Sequence, residues 1–268
     1  MIKKEKNYNL IIGGIITAVL MIFMFIGIFY TPHDPNAMDS SLKYADMSLK
    51  NLFGCDNFGR DLFSRVMTGS LATFNVALIT VLTGTFFGVL IGALTGYYGG
   101  IIDEILMRVN DTIFAFPSIL LALVFVSILG SGRNTIILAL GIAFIPSFAR
   151  IVRAEFLKYR DMDYIISAKL MGAGNLRIMF VHILPNTYRI LLPAIIIGFN
   201  NAVLAEAGMS YLGIGVQPPH PSLGYMLSDA QSHFSQMPMM ALAPGTVLIL
   251  LILGFSLLSD GLSKSKAY

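Results

Sequence analysis

Six stretches of the chain are apolar for roughly the 20 residues that an α-helix needs to cross the hydrocarbon of a bilayer. They are residues 10–30, 71–97, 105–129, 134–152, 190–209 and 240–258. In lipid every backbone polar group must be satisfied within its own segment, so such runs predict an all-α integral membrane protein of six transmembrane helices. Composition points the same way. Of the 268 residues 56% are hydrophobic and 12% charged, a charged fraction about half that of an ordinary soluble domain. So few charges could not clothe a water-facing surface of that size. The first run follows Lys3, Lys4 and Lys6, as in a signal peptide. Its apolar core is too long for one and no small-x-small cleavage pattern follows, so it reads as a retained anchor. The second run is rich in Gly, Thr and Ala, which suits close helix packing in lipid.

An even number of crossings puts both termini on one side. With the N-terminus inside, thirteen of the eighteen Lys and Arg residues fall on inner segments, and Lys43, Lys50, Arg60, Arg65 and Arg133 fall outside. The positive-inside rule favours this orientation. Three parts follow. Residues 1–70 hold the first span and an external loop, 71–262 the other five spans, and 263–268 a cytoplasmic tail. Residues 57–67 carry Phe58, Leu62, Phe63, Val66 and Met67 on one helical face and Arg60, Asp61, Ser64 and Arg65 on the other. That pattern predicts an amphipathic helix, either lying in the outer interface or packing on the protein. Asp61 and Arg65 have i,i+4 spacing.

The one long inner connection, at about 153–189, is the candidate functional element. Asp161 or Asp163 is expected to cap a helix running through Ser167, Ala168 and Met171, and Gly172 and Gly174 to stop it. Asn175 is expected to cap a second helix that Pro185 ends. A short helix of small and apolar residues on that side either packs on its own membrane domain or docks in a groove of another protein.

Here the residues carry a resemblance. Ser167-Ala168-x-x-x-Gly172, followed by Ile183-Leu184-Pro185, resembles the "EAA" loop of importer permeases of the ATP-binding-cassette class. The stretch from Gly54 to Arg65, Gly96-Tyr-Tyr-Gly-Gly100 with Asp103, Glu104 and Arg108, and Ala115-Phe-Pro-Ser118 are similar to segments of the dipeptide, oligopeptide and nickel group. So are Ala205-Glu-Ala207 and the segment from Tyr211 to Pro219. The resemblance covers residues 50–262. Where that family opens its loop motif with Glu and Ala, this chain has Ile166 and Ser167, and His182 stands two before Leu184. The resemblance implies the type I importer permease fold and the role of the second, shorter permease of a pair. It also implies a partner permease in a heterodimer, two cytoplasmic ATP-binding subunits and an external solute-binding protein, in the plasma membrane of a bacterium or archaeon. The substrate implied is a peptide, nickel or a metal chelate. The residues it marks for ATPase coupling are Asp163, Ser167, Ala168, Gly172, Ile183, Leu184 and Pro185.

The chain has no Gly-Lys-Ser/Thr phosphate loop, so no ATPase site of its own is expected. Nor is a cofactor, a catalytic centre or a nucleic-acid partner. One cysteine, Cys55, leaves no disulfide framework. His220 and His233 with Asp229 lack a third close ligand and read as loop residues rather than a metal site. Candidate pathway or gating residues are Asp111, Pro117, Asn200 and Glu206, because polar groups within spans are functional candidates by default. Glu104–Arg108 and Arg108–Asp111 are helical neighbours expected to neutralise one another, and Pro117 predicts a kink in the third span. Glu206 either serves the pathway, reaches the outer interface or bonds to the loop that follows. A proton-coupled secondary transporter is the rival reading, and it requires acidic residues in one midplane cavity.

Overall fold

Glycine at every fourth position sets the spacing of the central helix pair. In α2 (Leu62–Tyr98) the residues Gly84, Gly88, Gly92 and Gly96 stack on one face. That face lies against α5 (Arg133–Tyr159), the most extensively packed pairing in the molecule. A Cβ at Gly92 would stand 2.5 Å from the Ala149 carbonyl oxygen and one at Gly96 2.6 Å from the Phe156 Cβ. Only bare backbone fits there. Between helices in lipid there is no hydrophobic force to draw surfaces together, and close backbone approach supplies the packing instead.

The computed structural model describes residues 7–265, with side chains as far as Ser263. Lys3, Lys4, Lys6 and Lys266, four of the charges expected inside, lie outside the described residues, as do residues 266–268 of the tail. Around the α2–α5 pair stand α1 (Tyr8–Phe29), α8 (Leu184–Tyr211) and α10 (Met239–Ser265). A core of Leu20, Met24, Ala77, Val81, Phe148, Phe199 and Leu251 joins all five. α1 runs antiparallel to α10. A Cβ at Gly261 would meet Leu10 and one at Gly13 would meet Leu258, while the Asn7 amide donates to the Gly261 carbonyl at 2.5 Å. Both ends of the described chain therefore lie at one end of the bundle.

Among the described residues five helical segments are long and apolar enough to cross a membrane: the four helices α1, α2, α5 and α10, and the nearly continuous run Asn175–Tyr211. A sixth is obtained only by counting α3 (Gly100–Phe114) and α4 (Ser118–Leu129) as one span. The sequence reading of a single kinked helix over 105–129 is corrected here. The pair bends by 87° at a break between Phe114 and Ser118. Pro117 caps α4 with φ −54° and has no amide hydrogen to continue the α3 ladder. α4 packs on α5 through Ala122, Val126, Ile136 and Ala139.

Of the two readings of 57–67, the helix lying in the outer interface is corrected, and packing on the protein holds from Leu62 onward. Residues 57–61 form a turn, and α2 begins at Leu62 as one helix continuous with the second span. The polar side points inward: Arg60, Asp61, Ser64 and Arg65 are buried, while Phe58 is exposed. Asp61 caps α2, accepting from the Ser64 amide at 2.8 Å and from the Asn51 side chain at 2.9 Å, rather than pairing with Arg65. Arg60 donates to Asp56 at 2.6 Å and reaches Asp229 at 3.5 Å, while Arg65 donates to the Pro35 carbonyl at 2.8 Å. Asp229 lies on α9 (Leu223–Gln231). Burial pushes its carboxyl above the ordinary carboxylate value, and Arg60 offsets part of that rise. These groups knit residues 33–61 and 220–237 into a cap at the end opposite the termini. Among the described residues the only β-structure is an isolated bridge, Cys55 to Asp61, within that cap.

Candidate functional site

At the end of the bundle that carries both ends of the described chain, the connection between α5 and α8 folds into a compact corner. α6 (Asp163–Leu170) starts without a side-chain cap, since its N-cap is Met162, so the expected cap by Asp161 or Asp163 is not made. Asp163 instead sits in the first turn, where its charge suits the helix dipole. Gly172 stops the helix as expected, with φ +84°. The Ala173 amide donates to the Ala168 carbonyl and the Gly172 amide to that of Lys169, both at 3.0 Å. This is the two-bond Schellman closure, which needs a left-handed residue at that position.

The second helix differs from expectation. Asn175 does not cap α7 (Asn175–Arg177), whose N-cap is Gly174. The Asn175 side chain accepts instead from the Tyr97 hydroxyl at 2.9 Å, tying the corner to the end of α2. Pro185 does not end the helix either. A π-helical stretch, Ile178–Ile183, leads directly into α8, with Pro185 in its first turn. A proline is tolerated there because the first amides of a helix have no intrahelical partner, and the wider π turn shifts the register to meet it.

The two faces of this corner differ sharply. Ile165, Ala168, Ile178, Met179 and Ile183 are buried against Ala93, Tyr97, Val152 and Phe156. Outward point Ile166, Ser167, Leu170, Met171 and Leu176, with Leu170 84% and Met171 82% exposed. Lys169 and Arg177 stand beside this patch, both exposed. Spacing alone did not separate the buried from the exposed set, because α6 is too short for its periodicity to decide.

The pathway candidates scatter. Arg108 pairs with Glu104 at 2.6 Å, as expected, but Asp111 reaches across to Arg150 of α5 at 2.6 Å rather than to Arg108. Asn200 is buried and its amide donates to the Ile252 carbonyl of α10 at 3.3 Å. Glu206 is fully buried, so it does not reach the outer interface. Its Oε1 accepts from the Ser210 hydroxyl at 2.7 Å, and Ser210 in turn accepts from the Val216 amide at 3.1 Å, which ties it to the following loop. The hydroxyls of Thr73 and Ser222 stand beside it. Asp111 is exposed and paired with Arg150 while Glu206 is fully buried, whereas a midplane proton relay requires acidic residues in one cavity. Between α5 and α8 lies a recess of about 180 Å³, bounded by Phe144, Ser147, Phe148, Ile197, Gly198 and Asn201. Sequence reading chose Asn200 and passed over Asn201. A step of about 100° along a helix separates the two, and it places one toward α10 and the other at the recess. Among the described residues no three His, Cys, Asp or Glu side chains converge as a metal site.

The architecture is that of a transport permease. A chain of the MetNI methionine ABC transporter, solved in inward-facing conformations, superposes with a TM-score of 0.61 at 18% identity, covering 75% of this chain and 95% of that one. An amino acid ABC transporter gives 0.58 at 18% identity, covering 75% and 94%. The family of binding-protein-dependent transport system inner membrane components matches residues 88–266, and the chain belongs to it as an ABC importer permease. The dipeptide transport system permease protein DppC of Alkalihalophilus pseudofirmus is 36% identical, covering 96% of this chain and 85% of that one. DppC of Haemophilus influenzae is 35% identical, covering 96% and 90%. The glutathione transport system permease protein GsiD of Pectobacterium atrosepticum is 37% identical, covering 96% and 86%.

Proposed function

We propose that this chain is one of two different permease subunits of a peptide importer in a bacterial inner membrane. It crosses the bilayer six times, with both termini and the α5–α8 corner in the cytoplasm. Two ATP-hydrolysing subunits dock on that corner, and a solute-binding protein delivers peptide to the opposite cap. The subunit itself makes and breaks no covalent bond. The observation that carries this reading is the exposed aliphatic patch of Ile166, Leu170, Met171 and Leu176, held on a rigid corner by the Gly172 closure. Exposed aliphatic side chains among basic residues, at the end of the bundle, fit the surface of another protein. Where related loops carry Glu, Ile166 makes this contact apolar. The names of the relatives, dipeptide and glutathione permeases, support small peptides as the solute.

Purification from native membranes should bring down a second permease and an ATPase, and uptake of a labelled dipeptide should require ATP and the external binding protein. Isolation of the chain in a functional form with no ATPase would overturn the proposal. In a Cys55→Ser background, Lys169→Cys should react with an impermeant maleimide only from the cytoplasmic face. Reaction from outside alone would invert the topology.

A further inference from the structure

Asn201 poses a problem that the isolated chain does not solve. Its side chain is exposed and makes no hydrogen bond among the described residues. Yet it lies about 15 Å inside the α8 terminus at Tyr211, within the depth of the hydrocarbon. Ser147, half-buried near the middle of α5, is in the same position. Acyl chains give an amide and a hydroxyl no partner, and a polar group left unsatisfied in lipid is costly. The two groups stand on one recess whose remaining wall is apolar: Phe144, Phe148, Ile151, Ala194, Ile197 and Gly198. Gly198 makes the floor possible, since a Cβ there would stand 2.7 Å from the Phe148 ring. No charged side chain lines the recess, and the nearest cation on α5, Arg150, is already paired with Asp111.

Resting on the reading of the chain as a peptide permease, we infer that this recess is the subunit's contact with the solute in transit, and that it takes one uncharged peptide residue. Its volume suits that size: an apolar cavity of about 150 Å³ holds a benzene-sized guest. The side chain enters against Phe144, Phe148 and Ile197. The adjoining peptide bond is met by Asn201, whose amide offers both a donor and an acceptor, and by the Ser147 hydroxyl. A peptide's terminal charges and a bare metal cation find no counter-charge here. The partner permease, closing the open side, is left to hold them. Recognition that is mostly apolar with two hydrogen bonds is weak, as a transit site requires if the solute is to leave.

The test uses the complete transporter in proteoliposomes with its binding protein, and labelled Gly-Gly, Ala-Ala, Ala-Phe and Lys-Lys as probes. Asn201→Leu should lower Ala-Ala and Ala-Phe uptake about tenfold, the loss of a buried hydrogen-bond partner, while the partner subunits still co-purify. Ser147→Ala should lower it about threefold. Ile197→Trp, which narrows the recess, should shift the Gly-Gly to Ala-Phe uptake ratio at least tenfold toward Gly-Gly. Unchanged uptake and unchanged ratios in all three variants would overturn the inference and leave the peptide-permease reading standing. Loss of the partner permease from Asn201→Leu would overturn it also, because the residue would then be an interface contact. A wild-type transporter that carries none of the four probes would sink the peptide reading and this inference together.

Discussion

Replacing Gly92 with alanine adds one carbon where α2 and α5 touch. Its Cβ would stand 2.5 Å from the Ala149 carbonyl oxygen, 2.8 Å from the Val152 Cβ and 2.9 Å from the Arg153 amide nitrogen. Two of those three atoms are backbone and cannot rotate away. α5 must retreat by about 1 Å to restore ordinary contact, and a gap of that size on neighbouring contacts forfeits a quarter to a half of their attraction. Overpacking of this kind costs about 1–3 kcal/mol. Alanine also gains about 1 kcal/mol over glycine within a helix, which would mask part of the loss. Gly208 in α8 supplies the control, because it is helical and a Cβ there meets nothing within 4 Å. Gly208→Ala keeps the helical gain without the clash, so the two variants should differ by the packing cost alone, about 1–3 kcal/mol. Cys55, fully buried, serves as the reporter: a fluorogenic maleimide should react with it only on unfolding in detergent. Equal unfolding midpoints for the two variants would refute the account of the glycine face as a close-contact seam.

Gly172→Val forces a β-branched residue to φ +84°, at a strain of roughly 1–3 kcal/mol, and should impair uptake and ATPase recovery with the chain still inserted in membranes. Normal uptake would remove the corner from the coupling role. The Cys55 thiol is pushed up to about 11 by burial and then by the Asp61 and Asp56 carboxylates. At pH 8 its thiolate fraction is thus about 0.1%, and native labelling should run at least about a hundredfold slower than after denaturation. Because the unfolded thiol ionises first, near 8.5, the Cys55 contribution to stability should fall as pH rises from there toward 11, and Cys55→Ala should flatten that slope, as read from unfolding midpoints against pH. Asp56→Ala strips the buried Arg60 of its 2.6 Å partner and should destabilise the cap by about 3–5 kcal/mol, whereas Glu104→Ala, at an exposed pair, should change unfolding by less than about 1 kcal/mol.

The spans were legible because 20-residue apolar runs have no other stable use, and the corner was legible because Gly172 requires a left-handed turn. Local pattern failed where distant partners decided the outcome. The polar side of 57–67 looks like a water-facing surface until Asp56, Asp229 and the Pro35 carbonyl, residues from both segments of the cap, are found to cover it. Asp111 met Arg150 on another helix at 2.6 Å, a pairing no i,i+4 rule reaches. Pro185 was read as a stop because a π turn, which lets a helix absorb it, leaves no mark in composition. Asn200 and Asn201 are chemically identical, and only the helical phase relative to α5 and α10 tells them apart.

The length of α2 ties the two ends of the molecule together. At 37 residues it is about 55 Å long, well beyond the hydrocarbon thickness. One end is locked by Asp61 and Arg65 into the cap, and the other holds the α5–α8 corner through Tyr97 and through the Gly96 carbonyl, which accepts from Arg160 at 3.3 Å. Seamed to α5 by its glycines, such a rod tilts as a whole. A displacement imposed at the corner is therefore delivered to the cap, and one imposed at the cap moves the corner in return. By linkage, whatever binding energy one end gains from the other's state is returned in full, so under the proposed function an empty and a loaded delivery protein would be distinguishable at the corner.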